Sequence, residues 1–137
     1  MARILALDYG EKRTGIAATD ELQLIASGLT TVDTKDLMAF LTKYIESEKV
    51  SCIVVGEPRQ MNNQISESEA HIKPFLERLT KIFPHMPIAR QDERFTSKMA
   101  VQSMIQGGVK KMQRRNKALV DEISATLILQ AYLNRIQ

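Results

Sequence analysis

Among its 137 residues the chain has one cysteine and no tryptophan. A single thiol excludes an internal disulfide and any zinc site built from cysteines of one chain. Cys52 lies in the apolar run Ser51-Cys52-Ile53-Val54-Val55 and reads as inert core. Aromatic residues make up only 5%, which argues against a protein that stacks many single-stranded bases. No apolar run approaches the roughly 18 residues that cross a bilayer. The opening Met1-Ala2-Arg3-Ile4-Leu5-Ala6-Leu7-Asp8 lacks the charged, apolar and small-residue order of a signal peptide, so a cytoplasmic protein without membrane contact is expected. Repeats, low-complexity tracts and long linkers are also missing, and the length suits one domain, 1–137.

What is present is the composition of an ordinary globule, 44% hydrophobic and 26% charged. The net charge of +3 is unevenly placed. Between Arg90 and Lys117 eight basic residues face only Asp92 and Glu93, a local +6 that leaves −3 for the remainder. Lys110-Lys111-Met112-Gln113-Arg114-Arg115-Asn116-Lys117 is dense enough to neutralise several phosphates, the main sequence-independent source of nucleic-acid affinity. A solvated basic loop has the same composition, so the cluster alone does not assign a partner.

The pattern along the chain predicts an α/β fold. Arg3 to Asp8 is an apolar strand, Tyr9-Gly10-Glu11-Lys12 a turn, and Arg13 to Thr19 a returning strand. Leu22 to Val32 supplies a third strand. Thr34 to Lys49 switches to helical spacing, with Leu37, Phe40, Leu41, Tyr44 and Ile45 on one stripe and Thr34 as cap. Ser51 to Val55 reads as a strand covered on both faces and stopped by Gly56-Glu57-Pro58. Ser66 to Ile82 is helical with a kink or break at Pro74, Ile88 to Gln91 is a short strand, Thr96 to Gln106 a helix, and Lys117 to Ile136 a long last helix. Three strands followed by alternating helix and strand imply a mixed sheet with helices on both faces.

Acidic residues interrupt three of these apolar patterns. Alternation puts Ile4, Ala6 and Asp8 on one face of the first strand, with the carboxylate at the strand's end. Glu93 follows the strand that starts at Ile88. Asp121 sits among Leu119, Val120 and Ile123 in the first turns of the last helix, and Ser124 and Ala125 allow that helix to lie close to another element. Taken singly these are a turn Asp, a capping or ion-paired Glu and an Asp favoured by the helix dipole. Taken together they favour a metal site. Two unit charges 4 Å apart repel by roughly 4 kcal/mol at an effective dielectric near 20, so converging carboxylates need a divalent cation or a proton. An oxygen-only ligand set suits Mg²⁺ or Mn²⁺, and a pair of such ions serves phosphodiester hydrolysis.

The segments Ile4 to Ala17 (ILALDYGEKRTGIA), Asp92-Glu93-Arg94-Phe95-Thr96-Ser97 and Val120-Asp121-Glu122-Ile123-Ser124-Ala125 together resemble the YqgF family, nearly end to end. The resemblance implies an RNase H-like fold with a mixed five-stranded sheet and endonuclease activity in 5′-end maturation of pre-16S rRNA. It also implies Asp8, Glu93 and Asp121 as a catalytic, metal-binding triad, with Asp8 bridging two Mg²⁺ or Mn²⁺ ions. The family has also been labelled a Holliday junction resolvase, so a DNA junction stands as the alternative substrate. The usual Gly-Leu-Pro after the central strand is here Gly56-Glu57-Pro58.

Arg13 and Arg94, beside acidic positions, either hold phosphate oxygens or pair with those acids. Lys110, Lys111, Arg114 and Arg115 are the candidate contacts to the substrate backbone. His71 and His85 are expected away from the motifs. Asp92 and Glu122 adjoin two triad positions but point differently from their neighbours. Pre-rRNA, and with it the small ribosomal subunit, is the expected partner. Two rivals remain: a Mg-ATP-binding fold with a similar first motif, which needs two such domains and more than 137 residues, and a non-catalytic RNA-binding or transcription-complex module that uses the basic segment alone.

Overall fold

The computed structural model describes residues 2–58, 69–92 and 117–136. Its centre is a five-stranded sheet in the order β3-β2-β1-β4-β5. The strands are β1 (Arg3–Asp8), β2 (Arg13–Thr19), β3 (Ala26–Asp33), β4 (Val50–Glu57) and β5 (Ile88–Asp92). β1, β2 and β3 form an antiparallel meander, whereas β4 and β5 run parallel to β1. The expected mixed five-stranded sheet is therefore present.

Helices α1 (Leu37–Ser47) and α2 (Glu69–Ile82) cover one face and α3 (Lys117–Ile136) the other. Strand alternation divides the core accordingly. Leu5, Leu7, Ile16, Ile53 and Val55 pack with Leu37, Leu41, Ile72, Phe75 and Leu79, while Ile4, Ala6, Ala17 and Val54 pack with Ala125, Ile128, Leu129 and Leu133. The central strands need apolar residues at both parities because both faces are covered. On the α3 side several of those residues are alanine, so the helix can approach the sheet closely.

Several sequence expectations shift. β3 begins at Ala26, four residues late, because Asp20 ties up the chain before it. The Asp20 carboxylate accepts the N–H groups of Leu24 and Ile25 at 2.8 and 2.9 Å, and Gln23 takes a left-handed φ of 60° in the resulting turn. Thr34 does not cap α1. It lies in a 3-10 turn (Thr34–Asp36), and its hydroxyl instead donates to the carbonyl of Gly10. β4 continues through Gly56 to Glu57, since pairing of Gly56 with Gln91 and Glu57 with Asp92 carries the ladder past the expected stop. α2 runs unbroken across Pro74, although the ring there removes one helical N–H donor. The expected helix from Thr96 to Gln106 lies outside the described residues.

The topology gathers chain ends at one edge of the sheet. β1, β4 and β5 are parallel and finish there in Asp8, Glu57 and Asp92. β2 starts at the same edge, with Arg13 opposite Asp33 of β3. α3 also starts there, where the Thr31 hydroxyl donates to the carbonyl of Ala118 at 2.6 Å. In open α/β sheets this carboxyl edge is the usual place for a ligand.

Candidate active site at the carboxyl edge of the sheet

The antiparallel register sets Asp8 directly opposite Gly15. Directly opposed residues share a face and lie roughly 5 Å apart at Cα. That face is the α3 side, because Ile4 and Ala6 of β1 and Ala17 of β2 pack against α3. Gly15 has no side chain there, and the backbone of Asp121 fills the gap. A Cβ placed on Gly15 would lie 2.0 Å from the Asp121 carbonyl oxygen and 2.4 Å from its carbon. The first turns of α3 thus rest on β2 beside the end of β1, with the Asp121 backbone against the residue that pairs with Asp8. Ser124 and Ala125, the small residues expected to permit close approach, are fully buried one turn further on.

Arg13 completes this corner. Two residues before Gly15 and on the same face, it donates from Nε to Oδ2 of Asp121 at 3.1 Å. Of the two roles open from sequence, the described structure holds Arg13 as the ion-pair partner of an acid. The turn that follows Asp8 is fixed by a chain of hydroxyls. Since the Thr34 proton goes to the Gly10 carbonyl, Thr14 must donate to Thr34 Oγ1 across their 2.9 Å contact. The Thr34 amide also donates to the Lys12 carbonyl at 2.9 Å. Thr14 is fully buried, so this relay links the β1–β2 turn to the start of the next helix inside the fold.

The acidic neighbours point elsewhere. A Cβ on Gly28 would meet Glu122 Oε1 at 2.5 Å, which places the Glu122 side chain over β3, two strands from β1. Asp92 has the parity of Arg90, whose guanidinium reaches Glu69 on α2, so Asp92 belongs to the opposite face of the sheet. Glu93, Arg94, Lys110, Lys111, Arg114 and Arg115 lie outside the described residues. Among the described residues, no three His, Cys, Asp or Glu side chains gather closely enough to hold a metal ion.

Two further contacts were not expected from sequence. His71 is not remote from the first motif: its Nε2 lies 2.6 Å from Glu11 Oε1 in the β1–β2 turn, because that turn bends over α2. Tyr9 stacks on Phe75 of α2 in the same place, with centroids 4.5 Å apart. Both members of the His71–Glu11 pair are more than half exposed, so the contact sits at the rim. Arg90, counted within the basic tract, is withdrawn from it. It makes a two-pronged pair with Glu69 at 2.7 and 2.9 Å and donates to the carbonyls of Val55 and Gly56, tying together β4, β5 and the start of α2. Glu69 is only 4% exposed, a burial that an unpaired carboxylate would not tolerate.

The donor chemistry of the corner fits a hard divalent cation in kind. Asp8 and Asp121 offer carboxylate oxygens, and the buried Ser124 Oγ, one turn beyond Asp121, has no hydrogen-bond partner among the described residues. Cys52 is unsuited to metal or redox work: burial pushes its thiol up from the ordinary value, and it sits at the opposite end of β4 from Glu57.

A family model described as "RuvX: Holliday junction resolvase" matches residues 2–135. A protein of Christiangramia forsetii is 65% identical over 133 residues, 97% of this chain and 98% of that one. A Flavobacterium johnsoniae protein is 58% identical over 134 residues, 98% of this chain and 97% of its own. Both bear the name "Putative pre-16S rRNA nuclease". Among solved structures, the fowlpox virus resolvase in complex with Holliday junction DNA superposes with a TM-score of 0.63 at 11% identity, covering 98% of each chain. Thermus thermophilus RuvC with a Holliday junction substrate gives 0.58 at 16% identity, covering 99% of this chain and 96% of that one. At such identities the likeness is one of fold, and the fold is RNase H-like.

Proposed function

Because the chain belongs to the RuvX family, we propose that it is a divalent-metal-dependent endonuclease that hydrolyses phosphodiester bonds in structured nucleic acid, with pre-16S rRNA as substrate and its 5′ end as the place of cutting. The observation that supports the proposal is that the backbone of Asp121 rests on Gly15, the residue paired with Asp8 at the carboxyl edge of the sheet, although the two acids are 113 positions apart in sequence. The rRNA reading rests on the relatives named for that activity at 54–65% identity. The structural neighbours titled for junction DNA share only 11–16% of their residues with the chain, so the junction is the second reading.

Asp8 and Asp121 would hold the metal, and Glu93 is the third ligand. Bound Mg²⁺ or Mn²⁺, as a pair, supplies activation of the attacking water and stabilisation of the leaving oxygen. The chain's own contribution is to bring acids of β1 and α3 to one corner of the sheet and to fix the turn after Asp8 through Thr14 and Thr34. Arg94, Lys110, Lys111, Arg114 and Arg115 contact the substrate backbone, and the small ribosomal subunit is the partner. Such a reaction belongs in the cytoplasm, and no described helix is long and apolar enough to cross a membrane.

The test is Asp8→Asn. Purified wild type and variant are incubated with a precursor rRNA fragment or a four-way DNA junction, in Mn²⁺, Mg²⁺ or chelator. The variant is expected to lose metal-dependent cleavage of the rRNA fragment while binding it with nearly unchanged affinity, as phosphate contacts dominate binding. Cleavage that survives in Asp8→Asn removes the assigned site. Cutting of the junction but not the rRNA selects the second reading.

A further inference from the structure

The carboxylates that would hold a metal at this corner are anions, yet the corner already contains a cation. Arg13 Nε donates to Asp121 Oδ2 at 3.1 Å. With side-chain exposures of 37% for Arg13 and 24% for Asp121, the pair is open to solvent and to a competing ion. Among the described residues, nothing in the packing demands Arg13 at this place. It is the first residue of β2, outside both apolar clusters, and its partner Asp33 across the ladder is exposed.

We propose that Arg13 is a resident counter-cation for Asp121, which competes with the divalent metal for this carboxylate and sets the metal affinity of the site. The inference rests on the metal-site reading given above. Its physical basis is simple. Two cations cannot share one carboxylate without repelling each other, and the repulsion between a unit charge and a dication within one side chain's reach is significant even at the dielectric of water. A metal that takes Asp121 therefore pushes the guanidinium away. The displaced fork remains beside the acids with its donors unpaired, and a phosphate oxygen is the anion it suits best. The geometry thus assigns to one residue both roles that the sequence left open: partner of an acid in the metal-free protein, and holder of substrate phosphate in the metal-loaded one.

The experiment measures Mn²⁺ binding to the full chain by titration calorimetry, without nucleic acid, for wild type, Arg13→Gln, Arg13→Lys, Asp121→Asn and Asp8→Asn. Arg13→Gln removes the charge and is expected to bind Mn²⁺ roughly tenfold more tightly than wild type. Arg13→Lys keeps a point charge and is expected within about threefold of wild type. Tighter binding is a signature that structural damage does not produce, because a disordered site loses affinity. Arg13→Gln with Mn²⁺ affinity equal to or weaker than wild type overturns the proposal and makes Arg13 an orienting partner for Asp121. If Asp8→Asn and Asp121→Asn also bind Mn²⁺ as wild type does, the metal-site reading itself fails, and the two failures are thereby distinguished. A second readout is nucleic-acid affinity: loss of phosphate contact in Arg13→Gln is expected to weaken RNA binding in Mn²⁺ and to leave it unchanged in chelator. Equal weakening in both conditions contradicts release by metal.

Discussion

Replacing Gly15 by alanine tests the contact on which the candidate site depends. The added Cβ would lie 2.0 Å from the Asp121 carbonyl oxygen, 2.4 Å from its carbon and 3.0 Å from the Glu122 nitrogen. Real Cβ contacts essentially never fall below 3.0 Å, so the first turns of α3 must retreat by about 1 Å. All three obstructing atoms belong to helix backbone, so no side chain can rotate away. Overpacking of this kind costs about 3 kcal/mol, near the upper end of the usual range. For a chain of this length that corresponds to a fall in Tm of roughly 10 °C. The same displacement moves Asp121 away from Asp8, and a misplacement of 1 Å in a reacting group costs on the order of a hundredfold in rate. Gly28→Ala is the matched control. Its Cβ meets only Oε1, Cγ and Cδ of Glu122, the far end of a flexible side chain, at 2.5 to 3.1 Å. Melting followed by circular dichroism and Mn²⁺-dependent cleavage are the assays, with Gly28→Ala expected within about 0.5 kcal/mol of wild type. Gly15→Ala that melts with wild type and cleaves at the wild-type rate would refute the close approach of α3 to β2, and with it the convergence of the two aspartates.

Arg90→Met leaves the Glu69 carboxylate buried without its cation and is expected to destabilise by about 3 kcal/mol in a manner insensitive to salt; urea unfolding at low and high ionic strength measures it, and a loss under 1 kcal/mol contradicts the clamp. Cys52, whose thiol is held above its ordinary value of 9.0 by burial, is expected to react with iodoacetamide far more slowly in the native protein than in urea, as read by mass spectrometry. The Asp20 carboxyl is held below its ordinary 3.8 by the N–H groups of Ile25 and Leu24, so its contribution is present above that pH and is lost as the pH falls through the lower folded value. Asp20→Ala is therefore expected to narrow its gap to wild type in Tm only below about pH 4, and a gap that widens on acidification would reverse the assigned sign.

Elements with one dominant local cause were legible in the sequence. The hairpin from Arg3 to Thr19 follows from alternation around a glycine-containing turn, and α3 follows from a long helical pattern between Lys117 and Ile136, whose ends match the structure. The errors arose where tertiary partners overrode local signals. Gly56-Glu57-Pro58 has turn composition, but β5 on its open side extends the ladder through Glu57. Thr34 has the chemistry of a cap, yet the Gly10 carbonyl across the sheet offers its hydroxyl a partner 24 residues away. Arg90 looked like one more charge in a basic tract because its partner Glu69 lies 21 residues upstream with nothing in the pattern to link them. His71 came to the first motif only because of how the β1–β2 turn leans on α2 through Tyr9 and Phe75.

The corner itself was half legible, and the reason lies in what a glycine encodes. Asp8, Asp121 and the small pair Ser124-Ala125 stand out in sequence as acids and small residues within apolar patterns. What joins them is Gly15, which from the sequence alone is indistinguishable from any strand glycine. Its meaning emerges from the hairpin register: a turn between Asp8 and Arg13 that pairs Asp8 with Gly15 leaves a gap on the α3 side directly beside the carboxylate. The same register sets Arg13 two residues away on that face, so the feature that lets the helix bring an acid to the site also brings the cation that pairs with it. A one-residue slip of the hairpin would send Arg13 to the α1 and α2 face and close the gap with Ile16 or Thr14. The hydroxyls of the buried Thr14 and the half-buried Thr34 guard against that slip, since their hydrogen bonds to each other and to Gly10 are made in the observed register. Thr14→Val is thus expected to loosen the corner more than its volume suggests, because it keeps the shape and deletes only the relay.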